Sequence, residues 1–151
     1  MEQRRAPATS KPVAIRPFRE ADEAQVVALW RACGLTRPWN DPHRDIARKL
    51  AVQRELFLVG EEGGRIVASV MAGYEGHRGW VNYLAGDPGR RRAGLGARLM
   101  QRVEELLLAQ GCPKINLQVR ASNAEVLAFY RALGYAQDEV VAMGKRLVPD
   151  H

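Results

Sequence analysis

Hydrophobic residues repeat along this chain with two periods, and the places where one period gives way to the other divide it into elements. Residues 13–18 predict a short first strand. Asp22 and Gln25 stand three apart ahead of Val26, Val27, Leu29, Trp30 and Cys33, which predicts a helix opened by a capping box and ended by Gly34. Asp41 followed by Pro42 marks the start of a second helix, with Ile46, Leu50 and Val52 facing inward. Residues 56–59 and 66–74 read as a hairpin turned at Gly63-Gly64. Beyond a turn around Gly76-His77, residues 80–85 form an aromatic-rich strand. Leu95, Leu99, Val103, Leu106 and Leu107 then recur at helical spacing, closed by Gly111 and Pro113. Residues 115–119 alternate again, and Ser122 with Glu125 caps a last helix that Gly134 terminates. Residues 135–141 and 143–147 predict two closing strands. The order βααβββαβαββ predicts an α/β domain over residues 13–148, with a central mixed, mostly antiparallel sheet of about seven strands flanked by helices.

The junction between the strand at 80–85 and the long helix carries the densest chemistry. It reads Gly89-Arg90-Arg91-Arg92-Ala93-Gly94-Leu95-Gly96. Glycines let backbone approach a ligand closely, and the first amides of a helix point outward unpaired. With the helix dipole behind them they seat an anion. Leu95-Gly96 stands where a P-loop requires Lys and Ser or Thr, and Leu99 stands where a dinucleotide fingerprint requires Gly or Ala. Arg91, Gly94 and Gly96 instead form Arg-x-x-Gly-x-Gly.

That pattern resembles the coenzyme A pyrophosphate loop of the GNAT superfamily of N-acetyltransferases. A second stretch, residues 117–135, is similar to the next motif of that family: a strand, Asn123 at the turn, then a helix carrying Tyr130 and ending in Gly134-Tyr135. Arg37-Pro38-Trp39-Asn40-Asp41-Pro42, Gly73-Tyr74-Glu75-Gly76-His77-Arg78-Gly79 and Gly111-Cys112-Pro113-Lys114-Ile115 further resemble its small bacterial YpeA-type branch. The resemblance implies the GNAT fold and acetyl-CoA as cosubstrate. It implies that Arg91, Arg92, Ala93, Gly94, Leu95 and Gly96 hold the phosphates, and that backbone groups of Leu84, Ala85 and Gly86 face the pantetheine arm. The family usually has a β-branched residue where Gly86 stands. Asn123 would meet the arm, although as a helix cap it is equally well explained. Tyr130 would act as general acid toward the departing thiolate, although its spacing with Val126, Phe129 and Leu133 also fits a core aromatic.

The net charge of +6 bears on the choice of partner. Residues 1–12, read as a disordered basic tail, hold two of these charges, and Arg90 to Arg92 supply three more at the anion loop. Phosphates of coenzyme A account for that cluster. No recognition helix, zinc spacing or stacking motif accompanies it, so a nucleic-acid module is the weaker class. No apolar run approaches the roughly 20 residues that span a bilayer, and no secretory signal opens the chain, so a cytoplasmic monomer or homodimer without membrane contact is expected. Cys33 and Cys112 lack metal or redox spacing, and no metal is expected.

The acceptor is a primary amine on a small molecule, peptide terminus or lysine. Many family members place a Glu or Asp on the strand at 80–85 as general base, and this chain has none there. Glu75, His77, Asp41 and His43 are the nearby candidates. Lacking a base, a lysine-like amine costs about 4.6 kcal/mol to neutralise at pH 7, against about 1 for an α-amine, which favours the less basic acceptor. A non-catalytic acyl-CoA sensor is the rival reading.

Overall fold

In the computed structural model, which describes residues 12–90 and 94–150, the sheet is built from strands adjacent in chain order. Strands β1 (Ala14–Pro17), β2 (Phe57–Glu62), β3 (Arg65–Tyr74), β4 (Gly79–Gly86) and β5 (Ile115–Leu117) lie side by side in that order. Each pairs antiparallel with the next, except that β5 runs parallel to β4. The hairpin turns at Gly63 and Gly64, both at positive φ, a conformation that glycine adopts without steric cost.

Period-two alternation in the strands builds two cores. Phe57, Val59, Ile66, Met71 and Ala85 face helices α1 (Glu23–Ala32) and α2 (Pro42–Leu50), where Trp30 and Ile46 are fully buried. Leu58, Val67, Val70 and Val81 face the other way, toward α3 (Leu95–Ala109) and Tyr130 of α4 (Ala124–Ala132). A β-strand sends successive side chains to opposite faces, so one buried strand serves both layers.

Several sequence expectations change. Asp22 does not cap α1; its carboxylate accepts from the Arg19 amide at 2.8 Å and pairs with Arg16, while Gln25 accepts from the Ile66 amide at 2.9 Å. The last helix is capped by Asn123 and not by Ser122 with Glu125. Val52 is exposed. The sheet has five strands among the described residues, not seven, because 135–141 and 143–147 form no ladder. The chain leaves α4 through Gly134 at φ +97° and is held by side chains instead. Lys114 pairs with Asp138, Arg146 meets Asn40, and Arg48 meets Asp150 at 2.6 Å. Alternating residues give strand propensity, but propensity without a partner edge leaves Val140, Val141, Met143 and Leu147 exposed. Residues 1–11 lie outside the described residues, and with them nearly all of the expected basic tail.

Candidate active site

The site begins where β4 loses its second neighbour. Ladder pairing with β5 covers Gly79 to Val81 only, whereas pairing with β3 continues to Gly86. Residues 82–86 therefore present one backbone edge with no strand beside it among the described residues. Unpaired strand edges receive extended ligands by main-chain hydrogen bonds. The paired end is fixed by close contact: a Cβ on Gly79 would stand 2.9 Å from Leu107 Cδ1 and 3.0 Å from Cys112 Sγ.

The opening faces the start of α3. Gly94 is the N-cap of that helix at φ +70°, and Leu95 and Gly96 form its first turn, so three of the sequence-predicted phosphate residues sit at a helix N-terminus. Gly96 is required by packing too, since a Cβ there would meet Phe129 Cζ at 3.0 Å. Leu84 reaches the same spot, 3.9 Å from that position. Ala85 turns the other way and is buried against α1 and α2. Gly86 ends β4 opposite Ala68, and its carbonyl accepts from Cys33 Sγ at 3.2 Å. Arg91, Arg92 and Ala93 lie outside the described residues. Arg90 is committed to Glu62 and Asp87.

Two residues of the second motif, Tyr130 and Asn123, belong to α4 and its cap on the α3 side of the sheet. Tyr130 lines a cleft of about 1120 Å³ with Leu117 and Val119, in edge contact with Phe129 and Tyr135 at 5.0 and 5.6 Å. Burial pushes its phenol up to about 12, so it keeps its proton through the whole physiological range. The side-chain oxygen of Asn123 accepts from the Val126 amide at 3.1 Å, which leaves its nitrogen as the end able to meet a ligand.

The base candidates separate by position. Glu75 and His77 lie in the β3–β4 turn, next to the paired end of β4 and away from the opening. Glu75 accepts from the His77 and Arg78 amides, and these bonds hold its carboxyl below the usual range. Asp41 caps α2, and His43 Nδ1 sits 2.6 Å from Glu23.

Sequence reasoning missed Tyr83. It stands at φ +55°, in a β-bulge where Tyr83 and Leu84 oppose the single Val70 of β3. A positive φ at an aromatic residue costs of order 1–3 kcal/mol and persists only where the surroundings enforce it. Here Trp30 Nε1 donates to Ser69 Oγ at 2.8 Å, Ser69 Oγ donates to the Tyr83 carbonyl at 3.0 Å, and the Trp30 ring stacks on Tyr83 at 3.8 Å. The Tyr83 hydroxyl then donates to Asp45 Oδ2 of α2 at 2.7 Å. Burial, followed by that carboxylate, raises the phenol well above its ordinary range. The only prior signal was the lack of a Glu or Asp anywhere on the strand at 80–85.

Comparison with known proteins shows the family and the fold. Residues 23–135 match the model of the acetyltransferase (GNAT) family. A protein of Sodalis glossinidius named acetyltransferase is 50% identical over 137 residues, covering 90% of this chain and 96% of the relative. A Yersinia enterocolitica protein of the same name is 48% identical over 136 residues, with the same coverage. Among solved structures, an aminoglycoside acetyltransferase from a soil metagenome in complex with sisomicin shares the fold at TM-score 0.70 and 21% identity, covering 90% of this chain and 97% of that one. Glucosamine-6-phosphate N-acetyltransferase from Arabidopsis thaliana does so at TM-score 0.66 and 20% identity, covering 91% and 100%.

Proposed function

This chain belongs to the GNAT acetyltransferase family, and from that premise we propose that it transfers an acetyl group from acetyl-CoA to a primary amine by direct attack in a ternary complex. The observation that carries the reading is the end of the β4–β5 ladder at Val81 and Leu117, directly before the N-terminus of α3. An extended arm fits the free edge of 82–86 while its phosphates meet the amides around Gly94, Leu95 and Gly96, with Arg91 and Arg92 neutralising charge. Backbone groups of Leu84 to Gly86 orient the thioester, Asn123 steadies the arm, and Tyr130 donates a proton to the leaving sulfur. Direct attack is the reading because Cys112 is buried and the Cys33 thiol is engaged in donating to the Gly86 carbonyl. No helix among the described residues is long and apolar enough to cross a membrane, which accords with a cytoplasmic enzyme.

The experiment is thiol release from acetyl-CoA in the presence of a panel of primary amines, with acetyl-CoA affinity measured in parallel. Turnover with at least one amine is expected. Binding without turnover would convert the enzyme into an acyl-CoA sensor, and absence of binding would remove the cofactor assignment. Gly94→Val should weaken acetyl-CoA at least tenfold in a folded protein, because a β-branched residue resists the left-handed cap.

A further inference from the structure

The aspartate or glutamate absent from β4 has a substitute supplied from α2. Resting on the transferase reading above, we propose that Tyr83 and Asp45 together form the proton acceptor of the reaction, and that the acceptor substrate is an aliphatic primary amine, cationic at neutral pH. Three observations place the pair. Tyr83 is the bulge residue of β4 and lies within the run 82–86 that has no β5 partner, so it stands at the opening. Bulges re-aim side chains, and this one sends the ring to the α1–α2 face, whereas Tyr130 belongs to the core on the α3–α4 face. The two phenols thus lie on opposite faces of the sheet, as separate groups for taking a proton from the amine and giving one to the sulfur.

Asp45 is held for this task. Its Oδ2 accepts from the Tyr83 hydroxyl at 2.7 Å and its Oδ1 from Arg48 at 3.1 Å. The charged groups around the Tyr83 hydroxyl are Asp41, Asp45 and Arg48 of α2 and Asp150 of the C-terminal segment, which Arg48 and Arg146 also pair. Each carboxylate has an arginine partner, Arg44 for Asp41 and Arg48 for Asp45 and Asp150, and the group that meets the hydroxyl directly is Asp45 Oδ2, a proton acceptor of the kind a cationic amine requires.

The step balances as follows in protons and bonds. One ammonium proton passes to the Tyr83 oxygen while the phenolic proton passes to Asp45 Oδ2. Asp45 returns it to water, to which 24% of its side chain is open. The neutral nitrogen bonds to the thioester carbon, and the C–S bond breaks with its electron pair leaving on sulfur. Tyr130 protonates that sulfur and is reprotonated by the second proton of the adduct nitrogen. Asp45 acts through Tyr83 and is a positioning residue, while the Tyr83 hydroxyl meets the amine.

The test compares wild type, Tyr83→Phe and Asp45→Asn with n-butylamine, spermidine and Nα-acetyl-lysine amide on one side and hydroxylamine, uncharged at pH 7, on the other. Asp45→Asn keeps an oxygen for the Tyr83 hydroxyl but cannot take a proton. Both variants should lose about 10²–10⁴ in kcat/KM with the basic amines, and less than about tenfold with hydroxylamine above its uncatalysed rate. The loss should shrink as pH rises toward about 10, where the amines deprotonate unaided. Acetyl-CoA affinity should stay within about threefold. Equal losses with both acceptor classes would make the pair merely structural and overturn the proposal. So would a wild type that binds acetyl-CoA but acetylates none of the three basic amines. A wild type that fails to bind acetyl-CoA overturns the transferase reading itself, which this outcome identifies separately.

Discussion

Tyr130 and Tyr83 are chemically identical side chains set in different surroundings. Tyr130 sits among Phe129, Tyr135 and the α3 core, with its phenol pushed up to about 12 by burial. A phenol that stays protonated is a donor, and its usefulness appears only when the sulfur becomes anionic. Tyr130→Phe keeps the ring and its edge contacts, so acetyl-CoA affinity and melting temperature should barely move while kcat falls by about 10²–10⁴. Steady-state kinetics beside a thermal melt checks this. Retained kcat with a lowered melting temperature would return Tyr130 to the core and leave the sulfur without an acid. Burial of Tyr130 also sets an alkaline limit. The unfolded phenol ionises near 10 and the folded one near 12, so stability is complete below pH ~10 and declines as pH rises toward 12.

Helix α2 is the element on which Tyr83 and the C-terminal segment converge. Asp41 caps it through the His43 and Arg44 amides, and Asp45 reaches Tyr83 one turn later. The C-terminal segment is tied to the same helix. Asp150 accepts from the Asp41 amide at 2.8 Å and from Arg48 Nη2 at 2.6 Å, and its side chain is fully shielded. Arg48 first, then the Asp41 amide, hold the Asp150 carboxyl down at about 2. An unfolded aspartate titrates near 3.9, so the tie is fully present above that pH and is lost as pH falls through about 2. The Asp41 amide resonance should follow that transition in an NMR titration between pH 5 and pH 2. A resonance unchanged over the range would show that the C-terminal segment is not anchored there.

For the whole molecule, the sheet separates two cores, and the ligand edge lies between the layers that they support. A ligand that enters this opening contacts β4, α3 and α4 together, so it should stabilise the fold as a unit. At 100 times its Kd, acetyl-CoA should add about 2.7 kcal/mol, which for a chain of this size raises Tm by about 5–11 °C. Differential scanning fluorimetry with acetyl-CoA reads this directly. An unchanged Tm at that saturation would count against the cofactor assignment.

Local physics made much of this protein legible in its sequence. Period-two and period-3.6 patterns located five strands and four helices, because alternation and helical spacing report which face of an element is buried. Gly63-Gly64, Asp41-Pro42 and Gly94 marked a turn and two helix starts through conformations that need few neighbours. The fates of residues 135–147 and of Val52 were not legible, since propensity does not say whether a partner edge or a core surface is available. Tyr83 illustrates the same limit at the candidate site. Asp45 is 38 residues away in the chain, and only the bulge opposite Val70, with Trp30 and Ser69 locking it, turns the tyrosine toward α2. Sequence determined the helices and five of the strands, with the glycine-rich start of α3 among them. Tertiary structure decided where the sheet opens and which carboxylate reaches that opening, because both depend on contacts between residues that no local pattern connects.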